Sequence, residues 1–247
     1  RVNNEYTIVS STYNGESTAN LIAYFQSIRK QTLPPTEIIL SIDGDIRPEL
    51  RAVIEGAKSD LPLRVTYNKK IGLAESLNVA LNLVKTPYLL RMDTDDTSLP
   101  DRARHQMHIL GATHSDVVSC PAYESTPDGF SIKSVPLGKI RLKSFRRHIR
   151  NPINHHSAAA KTETLQRHKY PKGRMEDFRL WSKLLNHGGR LYNDSVPLVV
   201  ANATNLSARR TGRDYLMAEF ALFRINVRTR NPVRIAYSGI ALAVRAP

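Results

Sequence analysis

Residues 87–96 read PYLLRMDTDD, and the way this stretch ends decides the fold. Residues 87–92 are a short β-rich run that stops at the acid turn Asp93-Thr94-Asp95-Asp96. Pro100 follows, at the favoured first position of a new helix. The predicted unit is strand, acid turn, helix. Upstream the same alternation repeats. Residues 6–12 (YTIVSST) are β-rich, and residues 18–30 place Leu21, Ile22, Phe25 and Ile28 at helical spacing. Residues 37–42 (EIILSI) form a second strand before the turn Asp43-Gly44-Asp45. Residues 48–57 read as a helix and 63–67 as a third strand, and Leu73, Leu77, Ala80, Leu81 and Val84 mark a helix after Gly72. Strands separated by helices in this way predict an α/β protein with a doubly wound, mostly parallel sheet. Ligands of such sheets lie at the carboxyl ends of the strands. The turns at 12–15, 43–45 and 93–96 all fall there.

The second half is less regular. Residues 117–123 and 130–135 are predicted strands joined by Pro127-Asp128-Gly129, and 139–150 a basic helix. Residues 151–161 (NPINHHSAAAK) are polar, then small. Residues 176–186 form a helix with Phe178, Trp181, Leu184 and Leu185 on one side, and 191–201 a strand. Two helices, 211–228 and 232–244, close the chain. No linker rich in Gly, Ser or Pro separates two domains, so the reading is one domain, residues 1–208, with a C-terminal helical extension, 209–247.

Composition narrows the class. The 247 residues are 41% hydrophobic and 23% charged, which is enough apolar material to exclude disorder as the main state. Cys120 is the only cysteine, which excludes a disulfide scaffold and a cysteine zinc site and predicts a reducing, cytoplasmic compartment. No apolar run reaches the roughly 18 residues of a membrane span; residues 233–244 are too short and hold Arg234. No signal-peptide pattern opens the chain. Thirty-six Lys and Arg against 22 Asp and Glu give a net charge of +14, which favours anionic partners.

Three clusters carry candidate chemistry. Carboxylates crowded at 93–96 repel one another, and a divalent cation relieves that repulsion; oxygen ligands suit Mg2+ or Mn2+, held together with substrate phosphates. The alternative is a solvated turn in which Asp96 caps the next helix. Glu176-Asp177, at a helix start, offers a general base for a hydroxyl, or else simply complements the helix dipole. Arg209-Arg210-Thr211-Gly212-Arg213 offers planar forks for phosphate, or a solvated basic surface. The adjacent His155 and His156 lack a further obvious partner for a zinc site.

The order of short motifs resembles family 2 glycosyltransferases of the GT-A fold, and among them the bacterial exopolysaccharide and capsule enzymes of the amylovoran-biosynthesis type. The matching elements are Thr12-Tyr13-Asn14-Gly15-Glu16, Gln31-Thr32, Ile42-Asp43-Gly44, Asn68, Gly72-Leu73 with Leu77-Asn78, and the acid turn. Pro100-Asp101-Arg102 with Gln106, then His155, Glu176-Asp177 with Leu180-Trp181, and Arg209-Arg210-Thr211-Gly212 follow in the family's order. The resemblance implies that Thr12, Tyr13 and Glu16 line a nucleotide pocket and that Asp43 binds the base. Asn68, Gly72 and Asn78 would shape the uridine and sugar wall. Asp93 would contact ribose or sugar, and Asp95, with Asp93, would hold the metal that bridges a diphosphate. Asp177 would be the catalytic base and Glu176 would position donor or acceptor. His155 and Trp181 would lie near the acceptor, and Arg209 and Arg210 would neutralise the leaving diphosphate. Only one acid precedes Gly44 where many relatives have two, and the Gln-x-x-Arg-Trp signature of processive polymerases is absent, which favours single additions.

The implied reaction is inverting transfer of a sugar from a nucleotide diphosphate donor, by the resemblance a UDP-sugar, to a hydroxyl of a glycan or lipid-linked acceptor. Two other readings stand beside it. A nucleotidyltransferase would share the metal–diphosphate site, but a Gly-rich loop with an early basic residue is replaced here by Asn14-Gly15-Glu16. A nucleic-acid binder would use the acid-free run Lys139, Arg141, Lys143, Arg146, Arg147 and Arg150, but no reading motif accompanies it and the acid turns stay unexplained. Residues 209–245 hold eight arginines beside the apolar positions Leu216, Phe220, Phe223 and Val227, a pattern for a peripheral contact with anionic membrane or, equally, for a stripe packed on the core. The residues leave the donor sugar and the oligomeric state open.

Overall fold

A computed structural model of the chain describes residues 5–127, 129–145 and 151–204, with isolated positions between 217 and 239. The regular alternation predicted for the first half is present: β1 (Tyr6–Tyr13), α1 (Thr18–Arg29), β2 (Glu37–Asp43), α2 (Pro48–Ala57), β3 (Leu63–Asn68), α3 (Leu73–Leu83) and β4 (Tyr88–Arg91). There follow β5 (Thr97–Ser98), α4 (Arg102–Thr113), β6 (Val117–Ser119), β7 (Ala122–Thr126), β8 (Gly129–Lys133), β9 (Gly138–Ile140) and α5 (Leu142–Phe145). A 3-10 turn (His155–Ser157), β10 (Ala159–Lys161), α6 (Thr162–His168), α7 (Glu176–Asn186), β11 (Leu191–Asn193) and β12 (Val199–Asn202) complete the described elements.

The main sheet runs β3-β2-β1-β4-β10-β6-β11-β9, and a small sheet runs β5-β12-β7-β8. β3, β2, β1 and β4 are mutually parallel; β10 enters antiparallel between β4 and β6. Strands buried on both faces need apolar side chains on both, and the alternation in β1 and β2 delivers them. Val9 and Ile39 join Leu77, Leu81, Phe178, Trp181 and Leu184 under α3 and α7. Ile8, Ile38 and Leu40 join Leu21, Phe25, Leu50, Ile54 and Leu110 under α1, α2 and α4. Helices therefore cover both faces, as doubly wound topology requires.

The second half departs from the expected elements wherever a proline interrupts a run. The single strand expected at 117–123 is two, β6 and β7, in different sheets, because Pro121 between them has no N–H to donate to a ladder. The strand expected at 191–201 likewise divides at Pro197, where Asp194 Oδ2 accepts the Val196 N–H at 3.2 Å. Residues 139–145 are strand β9 and short helix α5 rather than one helix, and 146–150 lie outside the described residues. Pro100 precedes α4 instead of opening it. Leu99 N–H still bonds the Leu198 carbonyl at 3.0 Å and the Pro100 carbonyl accepts the Thr32 N–H at 2.9 Å, so the chain cannot turn helical until Arg102. Residues 209 and 210 and most of 209–247 also lie outside the described set. No described helix is long and apolar enough to cross a membrane.

Candidate active site

The carboxyl ends of the parallel strands open onto one cavity of about 520 Å³, lined among others by Tyr13, Glu16, Asp43, Leu73, Asp93 and Asp95. Asp43, the last residue of β2, accepts the backbone N–H groups of Ile71 (2.7 Å) and Gly72 (3.1 Å) through its carboxylate. Gly72 caps α3 at φ +90° and ψ 160°, a conformation that side chains resist. Glu16 is buried; its carboxylate accepts the Ser17 N–H (2.8 Å), the Asn20 amide (3.1 Å) and the Thr94 hydroxyl (2.6 Å). It locks the loop after β1 onto the acid turn. Thr12, expected to line the pocket, is 1% exposed with its hydroxyl unpartnered and is not among the lining residues, whereas its neighbours Ser11 and Tyr13 are. The Asn68 amide donates to Ser41 Oγ (2.8 Å) and the Ile42 carbonyl (3.1 Å). Asn78 exchanges two hydrogen bonds with the Tyr170 backbone, at 2.9 and 2.8 Å. These two asparagines, expected in the wall, brace the loops behind it.

In the acid turn, one carboxylate oxygen from each of Asp93, Asp95 and Asp96 lies within 4.8 Å of the others. Hard oxygens so close fit a divalent cation such as Mg2+ or Mn2+. Asp96 is the committed member. Its Oδ1 accepts the Asn202 N–H at 3.0 Å, its Oδ2 lies 2.9 Å from His156 Nδ1, and it does not cap a helix. Asp93 pairs with the guanidinium of the buried Arg91. Burial acts to raise the Asp93 carboxyl, but the Arg91 guanidinium outweighs it and holds the group well below the usual carboxylate range.

Across the site, α7 begins at Glu176 directly after Met175, which holds a left-handed φ of +58°. This bend presents both acids in the first turn. Asp177 Oδ1 accepts the Phe178 N–H and Oδ2 the Asn151 amide, each at 2.7 Å. Burial pushes Asp177 up in pKa, and burial followed by the neighbouring Asp177 pushes Glu176 up. Antiparallel β10 returns the 3-10 turn to the same edge. There His155 Nε2 lies 2.8 Å from the Tyr170 hydroxyl and the ring meets Trp181 edge-on at 6.2 Å. Burial, then Arg91, holds His155 well below its usual pKa, so it is neutral at pH 7. Trp181 is fully buried and supports His155 from the core. The charge of Asp93 is felt at Glu176, and that of Arg91 at Glu176, His155 and Tyr170. Glu176 and Asp177 are not among the residues lining the cavity of about 520 Å³, but their charges and that of Asp93 all act at Tyr170. Arg91, Asn151 and Tyr170 had escaped sequence reasoning. They lie far apart in sequence, and only Arg91, a charge inside an apolar strand run, left a local signal. Arg209 and Arg210 lie outside the described residues.

A doubly wound sheet with a clustered-aspartate turn after its fourth strand, mixed at one side by an antiparallel insertion, is the GT-A fold. The chain belongs to glycosyl transferase family 2, whose model matches residues 7–169. It is 30% identical over 233 residues to the amylovoran biosynthesis glycosyltransferase AmsE of Erwinia amylovora, covering 90% of this chain and 85% of that protein. It is 28% identical to the UDP-Gal:alpha-D-GlcNAc-diphosphoundecaprenol beta-1,3-galactosyltransferase of Escherichia coli, covering 90% and 84%. The mannosyltransferase PcManGT of Pyrobaculum calidifontis, solved in complex with GDP-Man and Mn2+, shares the fold at a TM-score of 0.64 and 18% identity, over 98% of this chain and 76% of that one.

Proposed function

We propose that this glycosyltransferase moves a sugar from a UDP-sugar to a hydroxyl of a lipid-linked or glycan acceptor during bacterial surface polysaccharide synthesis, with inversion at the anomeric carbon. The observation that carries the reading is Asp177. It is a half-buried carboxylate raised in pKa by desolvation and fixed by Asn151 and the Phe178 N–H, and its charge, like those of Glu176 and Asp93, acts at Tyr170. In this reading Tyr13, Asp43 and Asp93 receive the nucleotide and sugar, and Asp95 with Asp93 would hold Mn2+ or Mg2+. Such a cation, when bound, supplies positive charge to the diphosphate.

Asp177 takes the proton of the acceptor hydroxyl as that oxygen attacks the anomeric carbon. The bond from this carbon to the diphosphate oxygen breaks, and its electron pair leaves with UDP. A single displacement inverts the centre, and no carboxylate nucleophile is needed. Asn151 and the Phe178 N–H keep the Asp177 oxygens aimed, and Glu176 positions the acceptor or donor. Neutral His155, braced by Tyr170, offers the acceptor a hydrogen-bonding edge without adding a competing cation. Arg209 and Arg210, in the 209–247 extension beyond the catalytic domain of residues 1–208, are assigned to the leaving diphosphate. That basic extension suits a peripheral position on the inner face of the cytoplasmic membrane. The similarity to an enzyme whose name specifies UDP-Gal and a diphosphoundecaprenol acceptor supports the choice of donor and acceptor class.

The test is transfer from a panel of UDP-sugars to a diphosphate-linked N-acetylglucosamine carrying a short lipid, with the product's anomeric configuration read by NMR. An inverted linkage is expected. A retained configuration would overturn the single-displacement mechanism, and the absence of transfer with every donor would overturn the substrate class.

A further inference from the structure

The described residues include two fully buried arginines, and they are used differently. Arg102 spends its donors on Gln106 Oε1 (3.1 Å), Ser98 Oγ (3.0 Å), and the Arg91 (2.6 Å) and His156 (3.1 Å) carbonyls. It is a strut that ties α4 to β4 and to the 3-10 turn. Arg91 is 1% exposed, yet its side chain binds no backbone. Nη2 donates to Asp93 Oδ1, while Nε and Nη1 have no hydrogen-bond partner. A guanidinium buried to hold a single carboxylate acts on that carboxylate. It is also a fixed positive charge beside the place where three carboxylates gather closely enough for a divalent cation.

We infer that Arg91 is a positioning residue that divides the acid turn. It claims Asp93 from behind, turns it toward the donor, and by competing for it leaves the divalent cation chiefly to Asp95. The inference rests on the donor-site reading above. Two cations near one carboxylate repel strongly in a partly desolvated site. Arg91 therefore weakens metal binding to the empty protein and makes retention of the cation depend on the diphosphate that arrives with the nucleotide. This would make metal and nucleotide bind as a pair, with neither held tightly alone.

The test uses the full chain with Mn2+ alone and with UDP. Mn2+ binding is followed by electron paramagnetic resonance and UDP binding by calorimetry. Arg91→Met, which keeps the length and removes the charge, should bind Mn2+ alone about fivefold or more tightly and UDP at saturating Mn2+ several-fold more weakly. Arg91→Lys, which keeps the charge, should stay within about twofold of wild type for Mn2+. Mn2+ affinity unchanged or weakened in Arg91→Met overturns the inference. If Arg91→Met does not fold, Asp93→Asn decides. It should keep Mn2+ binding within about tenfold of wild type while Asp95→Asn abolishes it, and equal loss in both overturns the division of labour. A wild-type protein that binds neither Mn2+ nor UDP overturns the donor-site reading and the role of Arg91 with it. A wild type that binds both, matched by Arg91→Met, overturns the role of Arg91 alone.

Discussion

Asp177 and Asp93 are the two carboxylates the proposed reaction leans on most, and their surroundings push them in opposite directions. Burial raises Asp177, and the Arg91 guanidinium overcomes burial at Asp93. A base must be ionised to accept a proton, so transfer activity should rise with pH through a value above the ordinary aspartate range. Asp177→Asn should remove that acid limb and lower the transfer rate by about 10²–10⁴-fold while leaving UDP affinity unchanged, read by steady-state kinetics and calorimetry. The same shifts act on stability, with opposite signs. Asp177 and Glu176 hold protons more tightly when folded, so they impose a penalty that is absent at acid pH and grows as pH rises through their raised native values. Asp93 holds its proton less tightly when folded. Its contribution is present above the ordinary carboxyl range and is lost as pH falls through its depressed native value. Glu176→Gln should therefore raise the melting temperature at pH 8 more than at pH 5 while lowering activity. An equal effect at both pH values would contradict the burial account. Which residues these would be was legible, because acids at the carboxyl end of a strand and at a helix start stand out. Their partners Asn151 and Tyr170 were not, since ordinary side chains in irregular segments acquire roles only when the chain folds back.

At the scale of elements, two junctions hold the cavity's shape. The first is the entry to α3, where Gly72 takes φ +90° so that its N–H and that of Ile71 can both reach Asp43. No neighbour crowds a Cβ at this position, so Gly72→Ala tests backbone strain alone. It should cost about 1–3 kcal/mol in urea unfolding and weaken UDP binding, because Asp43 loses its anchor. A neutral substitution would show that the turn is not held as described. The second is Arg102, protonated even though burial draws it down to about 10. Arg102→Met leaves the Arg91 and His156 carbonyls without that donor and should destabilise by about 3 kcal/mol or more in the same measurement. The elements of the first half were legible because their strands are apolar on both faces and their turns carry Gly, Asp and Pro. β10 was not. Its Ala159-Ala160 core has little strand propensity, and only the flanking strands β4 and β6 make it a central strand. The runs at 117–123 and 191–201 were read as continuous strands because their hydrophobicity outweighed Pro121 and Pro197, although each proline marks the point where the chain changes sheets.

For the whole molecule, topology brings the chemistry together. Parallel strands deliver Tyr13, Asp43 and Asp93 to one edge, antiparallel β10 carries His155 back to it, and Glu176 and Asp177, in the first turn of α7, act on Tyr170, whose hydroxyl lies beside His155. The small sheet closes the far side, with the Asn202 N–H at the end of β12 bonded to Asp96 and the charge of Lys133 on β8 felt at Asp177. The net charge of +14 suits a substrate that carries a diphosphate at one end and, in the proposed acceptor class, another at the lipid junction. The most direct test of the claim that a cation and a nucleotide diphosphate meet in this site is a thermal-shift panel of UDP, GDP and dTDP, with and without Mn2+, on wild type and Asp95→Ala. A rise in melting temperature that requires both Mn2+ and UDP and vanishes in Asp95→Ala is the expected result. The same rise in Asp95→Ala, or none with any nucleotide in wild type, would contradict it.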